Sequence, residues 1–197
     1  MTTTTPWVFC THNAHKLEEV TAILGSQLEF RSLRDIQWHA AIPEPFDTLE
    51  ENSATKASTV ARQTGLPCFA EDTGLFVEAL DGQPGVHTAR YAGEEANAAQ
   101  NNEKLLSALQ GQQQRAAYFK TVITLDWNQQ VHTFTGICRG RIATQLSGNK
   151  GFGYDPLFIP EGSDVTFADM SSEAKQAISH RGKAFEQMKQ FLQHQLS

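Results

Sequence analysis

Apolar and polar positions in this chain follow first one period and then the other. Trp7 to Cys10 reads as a short buried strand. A polar loop, Thr11-His12-Asn13-Ala14-His15, leads into Lys16 to Leu24, where Leu17, Val20, Ile23 and Leu24 share one face of a helix stopped by Gly25. Leu28 to Leu33 reads as a second strand, and an irregular stretch with Pro43 and Pro45 follows it. Thr48-Leu49-Glu50-Glu51 has the form of a capping box, and the helix it opens runs to Thr64, with Gly65 and Pro67 as stop signals. A strand at 68 to 71 ends in the acids Glu71 and Asp72 and a Thr73-Gly74 turn, then comes Leu75 to Leu80, a turn at 81 to 85 and a helix from Asn97 to Leu109. Ala116 to Leu125 and Val131 to Ile142 are rich in β-branched and aromatic residues and read as an antiparallel hairpin turning at 126 to 129. Ala184, Phe185, Met188, Phe191 and Leu192 recur at helical spacing between Arg181 and Leu196, a helix that closes over the core.

With 197 residues and 40% hydrophobic content the chain buries a sizeable core as one domain, or as two lobes sharing one sheet. The 22 acids outnumber 16 Lys and Arg, giving a formal charge of -6, so the broad positive surface that tracks a nucleic-acid backbone is not expected. A small anion held by a few local lysines stays compatible with that charge. Cys10, Cys68 and Cys138 sit among apolar neighbours without zinc-type spacing and read as reduced, buried thiols of a cytoplasmic protein. Met1 to Thr5 is polar and no apolar run reaches membrane-spanning length, so neither secretion nor insertion is expected.

Five segments carry more chemistry than packing asks of them. The Thr11 to Lys16 loop ends a strand and opens a helix, where free amides and the helix dipole favour an anion and Lys16 adds a charge; a capped polar loop would look the same. His12 and His15, three apart, make a weak metal pair and fit phosphate contact or solvation better. An exposed helix face accounts for Glu50, Glu51, Asn52 and Lys56. Glu71 and Asp72 follow an apolar strand and point to opposite faces, so one of the two is expected to enter a site, and buried acids call for a cation. Gly-Phe-Gly-Tyr-Asp-Pro at 151 to 156 and Ser-His-Arg-Gly-Lys-Ala at 179 to 184 combine stacking surface with rigid donors, which suits a planar, hydrogen-bonding ligand.

Taken together and in this order, these phrases resemble the Ham1 or inosine triphosphate pyrophosphatase family across nearly the whole chain. The motifs that carry the resemblance are Thr-x-Asn-x-x-Lys, Glu-Asn-Ser-x-x-Lys-Ala, acid-Asp-Thr-Gly-Leu, Phe-Gly-Tyr-Asp-Pro and Ser-His-Arg-Gly. The resemblance implies an α/β fold with an elongated mixed sheet flanked by helices and two lobes with a cleft between them, a single domain over 1–197, and a cytoplasmic, Mg2+-dependent homodimer. It implies hydrolysis of ITP, dITP and XTP to the monophosphate and pyrophosphate, with no nucleic-acid polymer and no membrane as partner.

Carried over position by position, the resemblance assigns Thr11, His12, Asn13, Ala14, His15 and Lys16 to the phosphate tail. Glu44 and Asp72 would hold magnesium, and Asp72 would also position or deprotonate the attacking water. Lys56, Thr73 and Lys175 complete the phosphate and ribose contacts, while Phe152, Gly153, Tyr154 and Asp155, with His180 and Arg181, hold the purine. The chain departs from the pattern where His12 and His15 stand for the usual glycines, and at Glu71, where many members carry Asp. A pyrimidine-directed relative of the same broad fold lacks the Ser-His-Arg-Gly phrase. A purine-nucleotide sensor that has lost turnover is the alternative from another class, and the two histidines are what motivate it.

Overall fold

A computed structural model of the chain describes residues 6–25, 28–95 and 97–196. The polar Met1 to Thr5 segment of the sequence reading lies outside them. The described elements, in chain order, are β1 (Trp7–Phe9), α1 (Ala14–Leu24), β2 (Phe30–Ser32), α2 (Leu49–Thr64), β3 (Cys68–Val77), β4 (Pro84–Gly85), α3 (Ala98–Ala108), β5 (Ala116–Trp127), β6 (Gln130–Ile142), β7 (Phe158–Pro160), α4 (Ser172–Ile178) and α5 (His180–Leu196). The strands form one mixed seven-stranded sheet in the order β2-β1-β3-β5-β6-β7, with β4 paired to β3. Both neighbours of β1 run parallel to it, whereas β4 on β3 and β7 on β6 are antiparallel.

The chain divides into two compact units. One is Met1–Asp72, Thr121–Gly136 and Gly182–Ser197; the other is Thr73–Lys120 and Ile137–Arg181. Strands β3, β5 and β6 and helix α5 each contribute residues to both.

In the first unit the chain order β1-α1-β2-α2-β3 and the sheet order β2-β1-β3 together send the two crossovers in opposite directions along the sheet. Right-handed crossovers of that kind place α1 and α2 on opposite faces. Core packing agrees. Phe9 and Phe69 pack with Val20 and Leu24 of α1 and with Phe185 and Met188 of α5, while Val8, Cys10, Cys68 and Ala70 pack with Ala57 and Val60 of α2. Phe9 and Phe69, neighbours on paired strands, stack with centroids 4.9 Å apart, and Phe185 meets both rings edge-on. Burying each such ring stabilises the fold by about 1.5–3 kcal/mol.

The second unit centres on Leu75, Val77, Leu105, Leu109, Phe119, Tyr154, Phe158 and Phe167. The hairpin of β5 and β6 turns on Asn128 and Gln129, both in the left-handed region at φ 50° and 62°, the backbone of a tight two-residue turn.

Local signals set the helix ends as expected. The Asn13 side chain accepts from Lys16 N, Thr48 Oγ1 accepts from Glu51 N, and Gly65 closes α2 at φ 68° with its N–H on the Ala61 carbonyl. At Thr48 the expected capping box forms only in this half; the Glu51 carboxylate accepts from the Thr48 hydroxyl at 2.6 Å instead of from the Thr48 N–H.

Three expectations are corrected. The acids and the Thr73-Gly74 pair do not end a strand: β3 runs unbroken from Cys68 to Val77, buried at most positions, and Gly74 gives β4 room where any Cβ would come within 2.7 Å of the Gly85 carbonyl. The strand expected over Leu28 to Leu33 shrinks to Phe30–Ser32. The α2 face carrying Asn52 and Lys56 is not exposed, since these residues are 1% and 7% accessible. Helix α4 and strand β7, too short to impose a period, were not legible in the sequence. Cys10, Cys68 and Cys138 are free and buried, as read.

Candidate active site

Glu71 and Asp72 stand at adjacent positions of β3 and so face opposite sides of the sheet. Position 71 shares the parity of Phe69, on the α1 side, and position 72 that of Ala70, on the α2 side. Each acid therefore meets a lysine from the helix on its own side. Lys16 Nζ of α1 lies 3.2 Å from Glu71 Oε1, and Lys56 Nζ of α2 lies 3.0 Å from Asp72 Oδ1. Lys56 also reaches Glu44, at 2.5 Å from Oε1, so Glu44 and Asp72 converge on one ammonium. The sequence reading expected one of the two β3 acids to enter a site; both are buried and both are paired.

Burial lifts the Asp72 carboxyl above the usual aspartate value; Lys56 and Lys16 pull it down, and Glu44 adds to the lift. Burial works against the Lys56 ammonium, but Asp72 and then Glu44 outweigh it and hold lysine above its ordinary value. The cluster thus joins a carboxylate biased toward accepting a proton to a firmly charged lysine.

Glu44 and Asp72 offer hard carboxylate oxygens aimed at one point. Among the described residues no group of three or more His, Cys, Asp or Glu forms a cage for a metal. Magnesium does not need one, because it binds through one or two carboxylates and fills its shell with phosphate oxygens and water. The donor set fits that ion.

The loop that opens α1 lies in the same unit. Thr11 and Lys16 are half-buried, while His12, Asn13, Ala14 and His15 are exposed. Thr11 Oγ1 accepts from Asn13 N, His12 Nε2 lies 3.3 Å from the Ala40 carbonyl, and His15 Nδ1 lies 3.8 Å from Glu18. Neither histidine is among the non-glycine residues with positive φ, so this loop's backbone does not require the glycines that the resemblance expects there. Thr73, the next residue after Asp72 on β3, is half-buried.

In the second unit the Gly-Phe-Gly-Tyr-Asp-Pro loop is tied by Asp155. Its Oδ2 accepts from Phe152 N at 2.8 Å and from Lys175 Nζ at 2.6 Å. Gly151, at φ 71°, leaves the space this carboxylate occupies. The Lys175 ammonium and the Arg181 guanidinium lie over the half-buried Phe152 ring at 5.3 and 5.5 Å from its centroid. The His180 ring stacks on Phe119, centroids 4.4 Å apart.

Phe152, Gly153, Asp155, His180 and Arg181 therefore share one unit, and Lys175 joins them beside Asp155. Tyr154 is 3% accessible and donates its hydroxyl to the Thr88 carbonyl, packing the core beneath the loop. Asn102, which sequence reasoning missed, donates from Nδ2 to the Gly153 carbonyl at 3.0 Å. A helical asparagine carries no local mark of such a distant partner.

Comparison with known proteins shows the family. The Ham1 family profile matches residues 7–191. The dITP/XTP pyrophosphatase of Flavobacterium johnsoniae is 48% identical over 181 residues, covering 92% of this chain and 94% of that protein. The protein of that name from Porphyromonas gingivalis is 50% identical over 186 residues, covering 94% and 96%. Among solved structures, a Ham1 protein from Coxiella burnetii superposes with a TM-score of 0.89 at 36% identity, over 97% of this chain and all of that one. The chain belongs to the Ham1 family.

Proposed function

We propose that this member of the Ham1 family hydrolyses the non-canonical purine nucleoside triphosphates ITP, dITP and XTP to monophosphate and pyrophosphate, with magnesium as its metal. The observation that carries the reading is the convergence of half-buried Glu44 and buried Asp72 on buried Lys56, an acid–lysine cluster suited to a metal-bound triphosphate. The names of the curated relatives support the substrate class.

In this reading Glu44 and Asp72 hold the metal, which when bound neutralises charge building on the phosphate oxygens. Asp72, its carboxyl raised by burial, accepts the proton of the attacking water. That water forms a bond to the α-phosphorus as the bond from it to the bridging oxygen breaks, and pyrophosphate leaves with that oxygen. Lys56, Lys16 and the amides of the Thr11 to Lys16 loop take the charge of the phosphate tail, and Thr73 adds a hydroxyl contact. Phe152 stacks the base, and His180 and Arg181 supply donors to its 6-oxo group. Lys175 and Asp155 keep the base loop in shape.

The reading takes 1–197 as one functional domain working in the cytoplasm as a homodimer, which sedimentation of the purified protein checks. Among the described residues no helix is long and apolar enough to cross a membrane.

Product analysis with ITP and Mg2+ tests the activity. Pyrophosphate and IMP in equal amounts are expected, with no release when Mg2+ is chelated. Stoichiometric orthophosphate without pyrophosphate would sink the reading.

A further inference from the structure

Asn52 sits on the face of α2 that carries Lys56 one turn later, and it is 1% accessible. Its carboxamide makes both halves of a pair with one residue outside the helix: Oδ1 accepts from Phe46 N at 3.1 Å and Nδ2 donates to Phe46 O at 2.9 Å. Closing both polar groups of a single residue sets that residue's orientation as well as its place.

Packing holds this loop at Ile42, which precedes Glu44 and lies against the core. Phe46 is 39% accessible, and Pro43, Pro45 and Asp47 are exposed. Pro43 and Pro45 fix φ on either side of Glu44, which leaves few free torsions between Glu44 and the clamped Phe46. The clamp after Glu44 and the packed Ile42 before it together set where the Glu44 side chain begins, and that side chain then ends on Lys56. One helix face grips the loop twice, by main chain through Asn52 and by carboxylate through Lys56.

We propose that Asn52 is a positioning residue whose carboxamide, through the main chain of Phe46, sets Glu44 in place beside Asp72. The inference rests on the reading of Glu44 and Asp72 as the metal-holding pair. It gives Asn52 a role in metal affinity that its distance from the chemistry conceals.

The test uses the full chain as Asn52→Ala and Asn52→Asp, each with Glu44 intact and with Glu44→Gln. Two readouts are needed: amide hydrogen exchange at Phe46, and Mn2+ titration followed by electron paramagnetic resonance without nucleotide. Asn52→Ala is expected to speed exchange at Phe46 and to weaken Mn2+ binding by about 10- to 100-fold, as loss of a buried partner of a ligating group does. In the Glu44→Gln background the same change should add no more than about twofold, because the residue it acts through is already gone.

Asn52→Asp keeps an acceptor for Phe46 N–H and loses the donor to Phe46 O. It should lie between wild type and alanine, and it serves if the alanine variant folds poorly. Unchanged exchange at Phe46, or an equal Mn2+ loss with and without Glu44, overturns the proposal. A wild type that binds no Mn2+ sinks the metal reading instead, and the Phe46 exchange then decides this inference alone.

Discussion

The Lys56 ammonium lies 3.0 Å from Oδ1 of Asp72, a residue 16 positions away on a different element, and both are buried. In the proposed reading Asp72 is the acid of β3 that takes the proton of the attacking water. Asp72→Asn keeps the shape but cannot take a proton or bind a cation as a carboxylate does. Turnover of ITP should fall by about 10²- to 10⁴-fold with the fold intact. Steady-state rates alongside circular dichroism check this, and near-wild-type kcat would mean another acid carries the chemistry.

Glu71 faces the other side of the sheet and pairs with Lys16. Glu71→Gln should therefore act on the phosphate loop, raising KM for ITP while kcat stays within about tenfold of wild type. Loss of kcat with unchanged KM would place Glu71 in the chemistry instead.

The raised Asp72 carboxyl also has a consequence for stability. Burial lifts it, so the folded chain binds this proton more tightly than the unfolded chain does. The stabilising contribution is then fully present below the unfolded value, about 3.9, and is lost as pH rises through the higher folded value. Without metal or nucleotide, the Tm of wild type minus that of Asp72→Asn should decrease from about pH 4 to about pH 7. A difference that grows with pH would show a carboxyl lowered in the fold.

Gly151 shapes the loop at 151 to 156, which the proposed reading gives to the base. An alanine there would strain the backbone at φ 71° and collide with the Asp155 carboxylate, which would have to leave Phe152 N and Lys175. Gly151→Ala should cost about 1–3 kcal/mol in denaturant unfolding and raise KM for ITP. A variant with unchanged stability and KM would show that the loop does not depend on this knot.

Arg181 is 2% accessible and flanks Phe152. A donor aimed at a 6-oxo group meets another donor when adenine is present, and each buried unsatisfied group costs about 1–3 kcal/mol. Arg181→Ala should lower kcat/KM for ITP far more than for ATP, narrowing the ratio between them. An unchanged ITP to ATP ratio would show that the base is read elsewhere.

What the sequence determined by itself was local. Caps at Asn13 and Thr48, the stop at Gly65 and the apolar spacing of α1 and α5 follow from neighbours within a few positions, so α1, α2 and α5 could be read directly. The glycines and the acid at 151 to 156 likewise marked a turn, and the phrase at 179 to 184 a helix start, in their own residue types. Only the tertiary structure decided that the polar face of α2 is buried, because Asn52 and Lys56 look like solvated residues until Phe46, Glu44 and Asp72 arrive from other elements. It also decided which acid belongs to which lysine. Strand alternation sends Glu71 and Asp72 apart, but only the opposite crossovers of α1 and α2 bring Lys16 to one and Lys56 to the other. Lys175, which the resemblance assigns to phosphate or ribose, lies against Asp155 for the same reason: its partner is set by packing between elements, and no period along the chain records it.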